Sequence, residues 1–422
     1  MVSAFRTALS ATLMLGGALA AVSQAPAAAR KKPPEPQVQP AVPGARQYRL
    51  SKEEREAIAP LQAAVNAKNW AAAAAALPAA QSGASGSDAR YIVASLQFRM
   101  AIETRSQAMQ TQAIDALIAS GGASQTELAA LLQNQAALAA AGGSNPRSEA
   151  AFARLLQVDP NNAEAMKDLA RIKSDLRKSF EAVTLLDRAI AIREAAGQRP
   201  PEGWYIFALR LAVDGKMTAQ AAKLSRALVA AYPTKENWRD AVLAYLDLGQ
   251  PNDPAALDAW RLMRAAGALA GERDYMQFAQ AADGAGLAAE AKAVLDEGVA
   301  RRMVDPGKAG FKELIAASGR KAASERAGLA GREAAAIAAP AGTAALAAGD
   351  AFFGYGDYAK AASLYRAAVL KGGVDAALAN IRLGSALALG GQRVEAEAPL
   401  RAVAGAGSDL AGLWLVWLHQ PA

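Results

Sequence analysis

The chain has 422 residues, 53% hydrophobic and 20% charged, with no cysteine and one histidine. That composition excludes wholesale disorder and a disulfide scaffold. The net charge is +7. Arg6 and a net +4 across residues 30–50 carry most of it, which leaves +2 on residues 51–422. Such a balanced body lacks the basic face that phosphate binding requires, so nucleic acid is not an expected partner.

Residues 1–29 read as a signal peptide. Arg6 supplies the basic start, Ala8–Val22 is uncharged and apolar, and small-residue cleavage motifs follow at Ala18-Leu19-Ala20 and Ala27-Ala28-Ala29, placing cleavage between 20 and 29. The apolar core is shorter than a bilayer span, and no later apolar run approaches one. The expectation is export to a bacterial periplasm with no stable membrane insertion after the leader is removed. The alternative is an N-terminal anchor in the inner membrane facing the periplasm. Residues 30–50, RKKPPEPQVQPAVPGARQYRL, form a proline-rich basic linker.

Ser51 with Glu54 three residues later makes a capping box that starts the helical body. Alanine dominates the apolar count and β-branched residues are sparse, so the body is expected to be all-α. Helical stretches of about 12–16 residues then alternate with short Gly, Asn, Asp or Pro breaks. A register repeats along them. Small residues stand at Ala136, Ala170, Ala208, Ala279, Gly349 and Gly384. Seven residues later come Gly143, Arg177, Gly215, Gly286, Gly356 and Gly391. Five further come Ser148, Ala182, Gln220, Ala291, Ala361 and Ala396, and four further Phe152, Leu186, Leu224, Leu295, Tyr365 and Leu400. Glycine supplies 35 of 422 residues yet fills five of six turn slots, where a left-handed conformation ends a helix. The small residues let paired helices approach. The large apolar residue is expected to pack between neighbouring hairpins, which bury their apolar faces only as a stack.

Two stretches carry this pattern in full, GDAFFGYGDYAKAASLYRAAV at 349–369 and VDPNNAEAMKDLA at 158–170. With Trp204 before Ala208 and Tyr275 before Ala279, the chain resembles the tetratricopeptide repeat (TPR) family. The resemblance implies an α-solenoid of stacked antiparallel helix hairpins, a TPR-like superhelix of about nine to ten hairpins. It divides the chain into degenerate N-terminal hairpins at 51–126, repeats at 127–233, a degenerate hairpin at 234–271 and a repeat at 272–307. Long irregular helices at 308–341 and two clear repeats at 342–407 follow. For function it implies protein or peptide binding on the concave face lined by the first helices. That face's slots fall on Gln133, Asn134, Lys167, Arg171 and Tyr205 in the front half. In the back half they fall on Met276, Gln277, Gln280, Asp350 and Arg382.

The residue inventory argues against catalysis. His419 is the single histidine and there is no cysteine, so nucleophile triads and transition-metal sites lack their usual groups. No phosphate-binding glycine loop or dinucleotide fingerprint is present. Asp247, Asn252 and Asp253 lack the spacing of a calcium loop and read as a turn. No cofactor and no metal are expected. The reading is a non-enzymatic scaffold of the cell envelope that binds a protein or peptide. The alternative is a helical accessory protein binding cell-wall or exported polysaccharide.

Residues 408–422 read as a C-terminal capping helix, with Ser408-Asp409 as its cap and LAGLWLVWL as its body. Trp414, Trp417 and Leu418 share an apolar face. Two roles stand for it, a structural end helix enclosed by the chain's own curvature or a hydrophobic docking patch.

Overall fold

The turns decide the architecture, because each one must reverse a helix within about three residues. At Gly143, Arg177, Lys216, Gly286, Gly356 and Gly391 the backbone enters the left-handed region, with φ between 54° and 85°. At each, the next residue's N–H donates to the carbonyl five residues back, as Asp357 does to Phe352 at 3.0 Å and Met217 to Ala212 at 2.8 Å. This is the Schellman motif, which satisfies the last carbonyls of the first helix and launches the second in the opposite direction. Lys68 and Arg105 adopt it too.

The computed structural model describes residues 47–420. Twenty α-helices and one short 3-10 turn make up the regular structure of those residues, with no strand among them. They fall into two compact units, up to Glu127 and from Leu128 onward.

In the first unit, α1 (Lys52–Asn66) pairs with α2 (Trp70–Gly83), and α3 (Ser87–Glu103) with α4 (Gln107–Ala119). The capping box forms as the sequence predicts. Glu54 also accepts from Ser85 Oγ at 2.8 Å and Gly86 N at 2.7 Å, so one carboxylate fastens the start of α1 to the start of α3. The backbone N–H groups of Ser51 and Gly86 hold its pKa down at about 2. Tyr48 stacks on Tyr91 with ring centroids 6.1 Å apart, which packs the end of the proline-rich segment onto this unit. The segment's earlier residues and the 1–29 leader lie outside the described residues.

The second unit continues from α5 (Gln125–Ala141), whose first residues belong to the first unit. Next come α6 (Asn145–Val158), α7 (Ala163–Asp175), α8 (Ser179–Ala195), α9 (Glu202–Asp214) and α10 (Thr218–Ala231). Then come α11 (Lys235–Gly249), α12 (Asp253–Ala265), α13 (Gly271–Gly284) and α14 (Ala288–Ala300). A single 30-residue helix, α15 (Ala309–Ala338), fills the stretch read as long irregular helices. The last elements are α16 (Thr343–Gly354), α17 (Tyr358–Lys371), α18 (Ala376–Leu389), α19 (Arg393–Arg401) and α20 (Ser408–Leu418). Across the described residues this makes eight packed helix pairs; α5 and α6 are joined by the Gly143 turn, and α15 and α20 stand outside the pairs.

Close approach within a pair rests on the small-residue slots. A Cβ placed on Gly349 would stand 2.6 Å from the Tyr365 ring, and one on Gly384 would stand 2.4 Å from Leu400. In these two hairpins the large apolar residue seats on the small residue of its own hairpin, where packing between hairpins was expected, and both also join the core cluster shared by the neighbouring hairpins. One turn is also displaced. Gly215 keeps a right-handed backbone and Lys216 takes the left-handed position instead. Ala221, not Gln220, then occupies the buried alanine slot. Around DLGQPNDP, Asn252 accepts from Ala255 N at 3.1 Å and caps α12, as a helix-connecting turn requires.

Gly356 has φ +77° and open space where a Cβ would stand, so the cost of replacing it is purely conformational. Gly356→Ala should lower stability by about 1 kcal/mol, and Lys216→Gly should raise it by about 0.5 kcal/mol. Chemical denaturation of the two variants beside the parent checks both signs.

Candidate functional site

The first-helix slots diverge along the second unit. On α5 and α7, Gln133, Asn134 and Lys167 are half-buried and Arg171 is exposed. Their contacts are local. Gln133 Nε2 lies 3.4 Å from Asp168, Asn134 bonds the carbonyl of Ala130 on its own helix, and Lys167 pairs with Asp168 at 2.7 Å and Glu164 at 3.6 Å. Pairs partly open to water in this way contribute little to stability. The helices beneath are fixed from the other side. Lys173 reaches Glu149 at 2.6 Å and also bonds Glu181, while Lys178 reaches Glu149 at 2.9 Å. The Lys173 hydrogen bond, followed by that of Lys178, lowers the Glu149 pKa.

On α9 the slot turns inward. Tyr205 is fully buried, its hydroxyl donating to Glu194 at 2.6 Å and its ring meeting Tyr232 edge-on. Burial and then Glu194 raise its pKa. Tyr205 is therefore core, not contact surface. On α13, Gln277 and Gln280 are exposed, and Met276 is half-buried beside Gly310 at the start of α15.

Asp350 and Arg382 are also corrected from surface to interior, and the chemistry around them explains why. Arg382 Nη1 donates to Asp350 Oδ2 at 2.6 Å, and its Nε lies 3.2 Å from Asp258 Oδ2. Arg261 holds Glu290 through two hydrogen bonds of 2.8 and 2.7 Å and reaches Asp258 at 2.7 Å. Its guanidinium also lies 4.4 Å from the Phe353 ring centre. Tyr365 donates to Asp350 at 2.7 Å. Five helices, α12, α14, α16, α17 and α18, thus meet at one charge cluster. Both arginines are nearly sealed from water, at 2% and 5% exposure. Burial opposes the charge on Arg261, but Glu290 and Asp258 outweigh it and raise the pKa well above the usual value. Burial raises the Asp350 pKa against the pull of Arg382 and Arg261. Asp258, Arg261 and Glu290 fall outside the first-helix slots that the repeat register marks. The available signal was Arg261 itself, a charge between Trp260 and Leu262 in a helix whose apolar residues run nearly all round.

The C-terminal helix completes the same closure. Trp414 is fully buried and Leu418 nearly so, while Trp417 is half-buried with Arg393 over its ring at 5.1 Å. Trp414 and Leu418 are thus interior, not a free docking patch. Arg393 donates to the carbonyls of Trp417 at 3.1 Å and Gln420 at 2.8 Å, closing the end of α20. Ser408 does not cap the helix, since the preceding residue is Gly407 in a 3-10 turn and no side-chain cap forms. Asp409 instead pairs with Arg226 of α10 at 2.7 Å. Gln420 accepts from Trp238 Nε1 at 3.1 Å and donates to the Val229 carbonyl at 3.0 Å. The end of the chain returns to residues 226–238, enclosed by the chain's own curvature.

The fold is tetratricopeptide-like. Its basis is the Schellman turn inside successive hairpins, whose left-handed residues stand 34 apart from 143 to 177, 39 apart from 177 to 216 and 35 apart from 356 to 391, with 70 residues, about two periods, between 216 and 286. No protein-family model and no curated protein matches the sequence. Among solved structures, a tetratricopeptide repeat protein from Parabacteroides merdae ATCC 43184 overlays 64% of this chain and 99% of its own, at 14% identity and a TM-score of 0.30. The MamA protein overlays 43% of this chain and 98% of its own, at 17% identity and 0.31. The APC/C hetero-tetramer Cut9-Hcn1 gives 86% and 66%, at 12% identity and 0.24. Among the described residues no helix is long and apolar enough to cross a membrane, and no group of three His, Asp or Glu side chains is placed to hold a metal ion.

Arg382→Met removes the cation between two buried carboxylates and should destabilise by about 3–5 kcal/mol. Asp350, already raised by burial, then becomes protonated more easily when folded than unfolded. The loss should therefore shrink as pH falls through the folded pKa of Asp350, and stay full above it. Urea melts of Arg382→Met across acidic to neutral pH, compared with Arg382→Met/Asp350→Asn, read both effects.

Proposed function

We propose that this protein is a non-enzymatic interaction scaffold that holds a peptide or protein partner along the first-helix face of α5 and α7. The observation that carries the reading is the split between slots. Gln133, Asn134, Lys167 and Arg171 stay accessible on consecutive first helices, whereas Tyr205, Asp350 and Arg382 are consumed by internal bonds. A helix-hairpin stack offers such a row at fixed spacing, so an extended or helical segment can span two repeats. Lys167, bonded to Asp168 and Glu164, and the exposed Arg171 sit one turn apart on α7, and this mix of charges suits a segment carrying acidic or amide side chains.

The leader, with Arg6 ahead of Ala8–Val22, and the basic proline-rich stretch after it support a place in the bacterial envelope, with the scaffold in the periplasm. The inventory of one histidine and no cysteine supports a binding role over a catalytic one.

A photo-crosslinking residue at position 133 or 171, with position 277 as the comparison, tests the reading in cells that make the protein. The expected result is one protein adduct of constant mass from 133 and 171, reduced at least tenfold by Lys167→Glu. Adducts to glycan alone, or equal labelling from position 277, would overturn it.

A further inference from the structure

The return of the chain end leaves a cavity of about 690 Å³ in the second unit. Its walls come from α10, α11, the loop into α12, the start of α18 and the segment 404–413. The volume lies within the ~300–1,000 Å³ of ordinary ligand pockets. The walls are aliphatic, with alanines beside Leu248, Leu378, Ile381 and Leu413, and Tyr245 is the one aromatic among them.

The charges on this cavity have one sign. Asp375 and Asp409 line it, and no lysine or arginine does. Asp375 is exposed, and its Oδ1 accepts from Ala377 N at 2.8 Å and Leu378 N at 3.1 Å. Asp409 is partly exposed and meets Arg226 from outside the lining. Burial, then Asp258 and Asp409, push the Tyr245 hydroxyl up to about 12, so the electrostatic surroundings are negative at that wall too. Ser225, also in the lining, has a buried Oγ with no hydrogen-bond partner.

We propose that this cavity binds an aliphatic stem ending in an ammonium group, the chemistry of a lysine side chain among apolar residues or of a free alkylamine. The stem loses water against alanine, leucine and isoleucine walls. The ammonium is a compact charge with three donors, which suits the exposed carboxylate of Asp375, while Asp409 stays bonded to Arg226. A lone tyrosine does not make the aromatic cage that quaternary ammonium ions favour. The site is separate from the α5–α7 face and does not depend on it.

Calorimetric titration of the full protein with n-hexylammonium, 1-hexanol, hexanoate and acetyl-Leu-Lys-Leu-amide tests the assignment. Hexylammonium should bind at least tenfold more tightly than the alcohol or the carboxylate, and less tightly as salt is raised. Asp375→Asn keeps a capping side chain and should weaken the amine several-fold at unchanged melting temperature. Ala222→Phe, which fills the cavity, should abolish binding. Tighter binding of the tripeptide than the amine marks a lysine-bearing peptide as the natural source, and the reverse order marks a free amine. Equal binding of hexanoate, no binding by any probe, or indifference to Asp375→Asn would overturn the proposal.

Discussion

Arg261 and Arg382 share Asp258, and that shared carboxylate joins α12 to α18 across 124 residues of sequence. Two guanidinium groups and three carboxylates in a nearly dry space are an expensive arrangement, and well-packed apolar residues would often serve stability as well. What the ions add is direction. Each Arg fork accepts partners only in its plane, so the angle at which α12, α14, α16 and α18 meet is prescribed where greasy contacts would tolerate sliding. Once that angle is set, the second unit curves until α20 reaches α10.

The closure explains which first-helix slots stay accessible. A repeat stack normally leaves its first-helix face to a partner. Here α12 and the charge cluster occupy that face on α16 and α18, and Tyr205 turns into the core on α9. The accessible slots are left on α5 and α7 and, more sparsely, on α13. The same return of the chain end creates the one-signed cavity beside Asp375 and Asp409. Shape and available chemistry thus follow from one set of long-range bonds.

Much of the local structure was legible in the sequence because its causes are local. Ser51 and Glu54 cap a helix by reaching three residues, and glycine ends one by adopting a backbone that other residues avoid. Even so, Lys68, Arg105, Arg177, Lys216 and Arg302 take the same left-handed position without being glycine. Register placed Arg177 in its turn slot, but residue type gave no sign of the others, and at Lys216 the expected turn slipped by one residue. The site was less legible. Asp350 and Arg382 fall at slots that face a partner in an open superhelix, and their spacing carries no trace of the partners at 258 and 261. Trp238 with Gln420, 182 residues apart, is equally silent in the sequence. Periodicity reports which face of a helix is apolar, and it does not report how far a stack bends before it meets itself.

The second unit closes by bringing α20 onto α10. The chain has no cysteine, so thiols introduced as Lys223→Cys and Leu415→Cys would be the only ones available for spin labels. Packed helices lie about 8–10 Å apart, so with label arms the closed unit predicts one narrow distance population short of about 25 Å by double electron–electron resonance. Arg382→Met should broaden it toward longer distances. A broad distribution centred well beyond that range in the unsubstituted background would show an open stack and contradict the account.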